Sequence, residues 1–193
     1  DTLKDPRLLD GRELQTFDMV VSSPPFNVKD WGQEAAANDP YGRYRRGVPP
    51  RASADYAFIS HMVETLEPGH GRMAAVVSLG VLFRSGAELQ IRRQLLQENL
   101  VDAVIALPAK LLPNTPLPIA LLVLRKNKRD GQVLFIDASR QFEHGKTQNL
   151  LRAEDLAQIE TTYAARADVE GYACLVSVED ILQNDCNLSV SRY

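Results

Sequence analysis

Cysteine, histidine and tryptophan are all scarce, at two, three and one in 193 residues. Cys174 and Cys186 lack both the spacing of a metal cluster and the density of a secreted disulfide scaffold, and the histidines are scattered. The cysteines therefore read as free thiols, and no metal site is expected. Long apolar runs are missing too: the longest unbroken one, Ile119 to Leu124, falls far short of the ~18 residues of a membrane span. No basic, hydrophobic leader opens the sequence, so the cytoplasm is the expected compartment and no membrane partner is expected. Charge of one sign is not in excess either. A net charge of -3 argues against indiscriminate nucleic-acid binding and directs attention to local patches. There is no internal repeat and no low-complexity tract.

What remains is the composition of a soluble globular domain of ordinary size, 45% hydrophobic and 24% charged. Phe17 to Ser22 is a short, nearly continuous apolar run, the pattern of a strand buried on both faces of a parallel sheet. "SADYAFISHMVETL", 53 to 66, carries apolar groups at Phe58, Ile59, Met62, Val63 and Leu66 and stops at Pro68-Gly69, which predicts an amphipathic helix. "MAAVVS" at 73 to 78 predicts another strand, and Ser85 with Glu88 predicts a capping box opening a helix that runs to about Asn99. "VDAVIAL" (101 to 107), "IALLVL" (119 to 124) and "VLFID" (133 to 137) predict three further strands. Helical patterning returns at 153 to 166, and Ser177 with Asp180 predicts a last short helix.

Strands alternating with helices predict an α/β fold, a doubly wound, Rossmann-like sheet. The late strands without intervening helices predict an antiparallel edge. The first strand and helix of such a fold do not precede residue 17, so the sequence reads like the second half of a doubly wound unit. Residues 1 to 140 are assigned to that half and 141 to 193 to a helical extension packed on it.

The chemistry concentrates in "FDMVVSSPPFN", 17 to 27. Ligands of open α/β sheets sit outside the carboxyl ends of the strands, where Ser22 to Phe26 would lie. Proline offers a carbonyl and no N–H, so this corner is rich in acceptors and suits an amino group as substrate. An exocyclic amine of a nucleobase is a poor nucleophile because its lone pair is delocalised into the ring. Acceptors drawing on both hydrogens localise that pair, and Phe26 would stack on a base swung out of the duplex. A Pro-Pro turn after a strand is also a common sharp stop. Next comes "NDPYGRYRRGVPPR", with Arg43, Arg45, Arg46 and Arg51 interleaved with Tyr41 and Tyr44. Guanidinium and aromatic groups together suit phosphates and bases, although a solvated loop has the same composition.

"FDMVVSSPPFNVKDWG", "ADYAFISHMVETLEPGHGRMAAVV", "GVLFRSGAELQIRRQLLQENLVDAVIALP", "VLFIDASRQF" and "NDCNLSVSRY" together resemble the modification subunit of type I restriction-modification systems. The resemblance covers nearly the whole chain in order. It implies transfer of a methyl group from S-adenosylmethionine to adenine N6 in DNA. It also implies an assembly with a specificity subunit and sometimes a restriction subunit. On the family's amine-binding motif, usually Asn-Pro-Pro-Phe, fall Ser23, Pro24, Pro25 and Phe26, which makes these the implied catalytic residues. On its acidic turn fall Asp1, Thr2 and Leu3, which places Asp1 near the cofactor's adenine.

Two departures stand out. Serine in place of asparagine resembles the pattern of cytosine N4 methyltransferases, so adenine and cytosine both stay open as targets. The family's glycine-rich cofactor turn has no counterpart before Asp1, and the one Gly-x-Gly, Gly69 to Gly71, precedes a strand, where it ends a helix. The expectation is a fragment, inactive by itself. The alternatives are a folded interaction module that associates with itself or a specificity subunit, and a methyltransferase acting on RNA or protein glutamine. His61, His70, His144, Asp18 and Asp102 are expected to be structural, and "PNTPLP", 113 to 118, a plain connection.

Overall fold

The computed structural model describes residues 1–113 and 115–193. Asn114, in the expected connection at 113 to 118, lies outside them. A small antiparallel hairpin of β1 (Leu9–Asp10) and β2 (Glu13–Leu14) precedes a six-stranded sheet. Its strands are β3 (Met19–Ser22), β4 (Arg72–Ser78), β5 (Val101–Leu107), β6 (Ile119–Arg125), β7 (Gln132–Asp137) and β8 (Ala173–Ser177). The helices are α1 (Gln33–Ala36), α2 (Asp55–Glu64), α3 (Ala87–Gln97), α4 (Ala153–Ala165) and α5 (Val178–Gln183).

Spatial order is β3-β4-β6-β5-β7-β8. β3 and β4 are parallel and joined through α2. β6 runs antiparallel to both β4 and β5, which are therefore parallel to each other, and β7 is parallel to β5. The carboxyl ends of β3, β4, β5 and β7 thus share one edge of the sheet.

Alternation along the strands sends side chains to two helical layers. On one face Met73 and Val77 of β4 meet Ile59 and Val63 of α2, Ile91 and Leu95 of α3, and Ile181 of α5. On the other, Ile105, Val123, Leu134 and Ile136 carry Ile159 and Tyr163 of α4. A third cluster, Leu3, Trp31, Ala36, Tyr44, Ala54 and Ala57, makes a small lobe of residues 28 to 54 against the start of the chain.

Buried charges tie these layers. Asp102 is fully buried; its carboxylate accepts from the Tyr163 hydroxyl at 2.5 Å and from Arg166 at 3.1 Å, which clasps α4 to β5. Burial first, and then the bond to Asp102, push the Tyr163 phenol up to about 12. Arg92, also buried, donates to the carbonyls of Cys186, Val81 and Arg84 and so fastens the C-terminal tail to the turn after β4.

Four expectations need correction. β3 is not buried on both faces: Met19 and Val21 are 62% and 69% exposed, because β3 is the outer strand and, among the described residues, no helix covers that side of it. The antiparallel strand foreseen at an edge, β6, sits inside the sheet, while the antiparallel outer strand is β8. Residues 141 to 193 are not a purely helical extension, since β8 completes the sheet beside β7. The Ser85–Glu88 box does not form: Gly86, at φ 71°, precedes α3, and the Glu88 carboxylate turns to Arg84. The Ser177 hydroxyl does accept from the Asp180 N–H at 3.0 Å, opening α5 as expected.

Candidate active site

β3 ends at Ser22, and the chain leaves the sheet through Ser23, Pro24, Pro25 and Phe26. Pro24 is buried and anchors the corner, while Ser23 and Pro25 are exposed and Phe26 is half-buried. Among the described residues, the hydrogen bonds include none to the Ser23 hydroxyl or to the Pro24 and Pro25 carbonyls. The four expected residues therefore stand together at the carboxyl edge, with the exposed Ser23 and the unengaged proline carbonyls beside an aromatic ring.

The backbone then turns sharply. Asn27 adopts a left-handed conformation, φ 54°, which asparagine tolerates better than most side chains. Its N–H donates to Asp55 Oδ1 at 2.9 Å, and its side-chain carbonyl accepts from Arg84 at 2.9 Å. Arg84 also pairs with Asp55 at 2.9 Å and Glu88 at 3.1 Å. Burial holds the Glu88 carboxyl above the ordinary carboxylate range, an effect that Arg84 opposes. Asp55 and Arg84 went unnoticed in the sequence, and Glu88 was read only as a helix-capping residue. Two signals were present: Arg84 ends the apolar "GVLF" just before a helix, and Asp55 opens a helix whose first turn is largely buried.

Asp1 is exposed at the rim of a cavity of about 330 Å³, together with Thr2, Phe17, Val20 and His61. Its carboxylate accepts from the Leu3 N–H at 3.1 Å, which rounds the turn. Val20 stands three residues before Ser23, about 10 Å along the strand. A carboxylate beside apolar walls fits the adenosine half of S-adenosylmethionine. A glycine-rich N–H cradle for the other half is absent among the described residues. Gly71 cannot supply one, because a Cβ there would lie 2.6 Å from the Glu67 nitrogen, so this glycine packs the turn after α2.

The arginines divide. Arg43 is buried; it pairs with Asp39 at 2.7 Å, donates to the carbonyls of Thr2 and Leu3, and lies over the rings of Tyr41 and Tyr44. Arg46 is buried between Glu64 and Glu98. The DNA contacts expected of these two are corrected: their guanidinium groups are consumed inside the lobe, where the interleaved tyrosines form its packing. Arg45 and Arg51 keep 56% and 66% of their side chains exposed, each beside a carboxylate, Glu64 and Asp30 respectively.

Among the described residues, no group of three or more His, Cys, Asp or Glu side chains is placed to hold a metal. No helix among them is long and apolar enough to cross a membrane.

The sequence matches the N-6 DNA methylase family over residues 1–193. It is 35% identical to the type I restriction enzyme MjaVII methylase subunit of Methanocaldococcus jannaschii, over all of this chain and 34% of that protein. It is 34% identical to the HindI methylase subunit of Haemophilus influenzae, over all of this chain and 44% of that one. The fold superposes on a type I restriction-modification methyltransferase subunit from Streptococcus thermophilus with a TM-score of 0.93 and 37% identity, covering 100% of this chain and 40% of the other. The chain thus spans between a third and a half of the length of these relatives. A match along its whole length, joined to a proline corner at the carboxyl edge of a doubly wound sheet, makes this chain a member of the N-6 DNA methylase family.

Proposed function

We propose that this chain forms the target-base part of a cytoplasmic DNA methyltransferase that moves a methyl group from S-adenosylmethionine to adenine N6. The reading includes an assembly with a specificity subunit and, where present, a restriction subunit. The observation that carries it is the set of unengaged acceptors at Ser23 and Pro24 beside the half-buried Phe26.

In this reading the base leaves the duplex, and Phe26 stacks on its face. The Ser23 hydroxyl and the Pro24 carbonyl accept the two amine hydrogens, which localises the nitrogen lone pair out of the ring plane. The cofactor, when bound, supplies an electrophilic methyl carried on a sulfonium. Asp1, with Phe17 and Val20, holds its adenosine half. Arg45 and Arg51, the exposed arginines of the lobe, contact DNA phosphates. The serine hydroxyl also suits cytosine N4, so the test must read both bases.

That test is methyl transfer to duplex DNA by the full-length gene product, with its specificity subunit, digesting the DNA to separate N6-methyladenine from N4-methylcytosine. Ser23→Ala and Phe26→Ala each should lower the rate by about 100-fold with the melting temperature unchanged. Wild-type rates in both variants would remove the corner from the chemistry. A second reading, an interaction module, rests on the exposed outer face of β3.

A further inference from the structure

The cluster behind the corner is not explained by core packing alone. Arg84 is the hub: its guanidinium reaches Asn27 Oδ1 at 2.9 Å, Asp55 at 2.9 Å, Glu88 at 3.1 Å, Ser53 Oγ at 3.3 Å and Ser78 Oγ at 3.3 Å. Asp55 and Glu88 are almost fully buried, whereas 30% of the Arg84 side chain is exposed. Gly80 is shaped to this arrangement, since a Cβ there would lie 2.6 Å from Arg84 Nε and 2.7 Å from its Nη2. The backbone of Arg84 is fixed in turn, its carbonyl accepting from the buried Arg92 at 2.9 Å.

Asp55 grips the Asn27 N–H and Arg84 grips the Asn27 side chain, so one residue is held at both ends in a left-handed conformation. Asn27 directly follows Phe26. Rotation about its backbone would swing the Phe26 ring and the carbonyls before it.

We propose that Arg84, seated over Gly80 and anchored by Asp55 and Glu88, is a positioning residue that sets the direction of the Ser-Pro-Pro-Phe corner through Asn27. The inference rests on the reading of that corner as the amine-binding site, and its test separates the two. Three substitutions perturb the hub differently. Arg84→Lys keeps the charge and loses the fork. Gly80→Ala keeps Arg84 and displaces its guanidinium. Asn27→Gly permits the left-handed backbone and removes the side-chain acceptor, while Asn27→Asp restores an acceptor.

In the full chain, hydrogen exchange of the Asn27 amide, bonded to Asp55, and of the Ala54 amide, bonded to the Val28 carbonyl, reports whether the corner is held. Arg84→Lys and Gly80→Ala are expected to speed both by about 10-fold or more while amides of α3 keep wild-type protection. In the methylation assay, these two variants and Asn27→Gly should lower kcat by about 10- to 100-fold with KM for DNA little changed, and Asn27→Asp should recover most of it. Wild-type exchange at Asn27 and Ala54 in both hub variants overturns the proposal whatever the activity shows. So does a loss in Asn27→Gly that Asn27→Asp fails to repair. If instead exchange responds as expected while Ser23→Ala and Phe26→Ala methylate normally, the assignment of the corner fails and Arg84 remains its structural anchor.

Discussion

His61 joins the turn carrying Asp1 to the lobe beyond the proline corner. Arg43 can only donate, so His61 Nδ1, 3.5 Å from it, must accept, and the ring proton sits on Nε2, facing the Thr2 hydroxyl at 3.2 Å. Burial first, then the Arg43 charge, lower the imidazole to about 4, with Asp39 opposing. A histidine whose folded pKa lies below its unfolded value binds fewer protons when folded. Its contribution to stability is therefore complete above the unfolded pKa of about 6.5 and is lost as the pH falls toward the folded value. Melting temperature should drop between about pH 7 and about pH 4.5, and His61→Gln should flatten that slope. Parallel slopes in the two proteins would assign the acid sensitivity to other groups. His61 was legible only as a helix residue with no evident chemistry, because its partners, Thr2 and Arg43, are remote in sequence. Ser23 to Phe26 were legible because proline chemistry is local: two missing donors at a strand end announce an acceptor-rich corner anywhere.

At the scale of elements, the segment 38 to 51 shows how composition misleads. Four arginines with two tyrosines look like a phosphate-binding strip, yet acids from other elements, Glu64 on α2 and Glu98 just beyond α3, fold Arg46 inward. No local pattern announces such a pair. Removing Arg46 takes two charge-assisted hydrogen bonds from Glu64 and Glu98, which keep Arg45 as a partner, so Arg46→Ala should cost about 2 kcal/mol in urea unfolding. Arg45→Ala and Arg51→Ala should each change stability by less than about 1 kcal/mol. Instead they should weaken DNA binding by the complete enzyme and reduce the slope of log affinity against log salt by about one each. An unchanged slope in both would take DNA off this surface. The helices and inner strands were legible because their apolar periodicity is strong; α2, β4, β5, β6 and β7 all lie within two or three residues of expectation. β8 was missed because its five residues are mostly half-buried at an outer position, which leaves neither a continuous apolar run nor a clean alternation.

At the scale of the molecule, one side of the sheet is dressed by three helices, while the other is covered by α4 only over its far half. Met19 and Val21 of β3 continue an apolar surface through Ala74, Leu121 and Val123 to Leu156. A flat outer strand with an apolar face is prone to pair with another chain. The 193-residue chain by itself should therefore associate at micromolar concentration, and Met19→Glu with Val21→Lys should return it to monomer in light scattering. A monomeric parent chain would discount this surface as a contact. Sequence alone read the chain as half of a doubly wound unit, yet it set β6 at an edge instead of inside the sheet, since strand periodicity names a strand and not its neighbours.

The interior position of β6 has a temporal consequence. β4 and β5 share no hydrogen bond, and each needs β6 to close its side of the sheet. On a ribosome, the long β4–α3–β5 passage must emerge and wait, and only when Arg125 clears the exit tunnel can the two halves be zipped together. Slowing translation well downstream, once Arg125 is already outside the tunnel, would give the zipper time to close, whereas a pause while it is still inside would hold open two raw sheet margins for chaperones to guard.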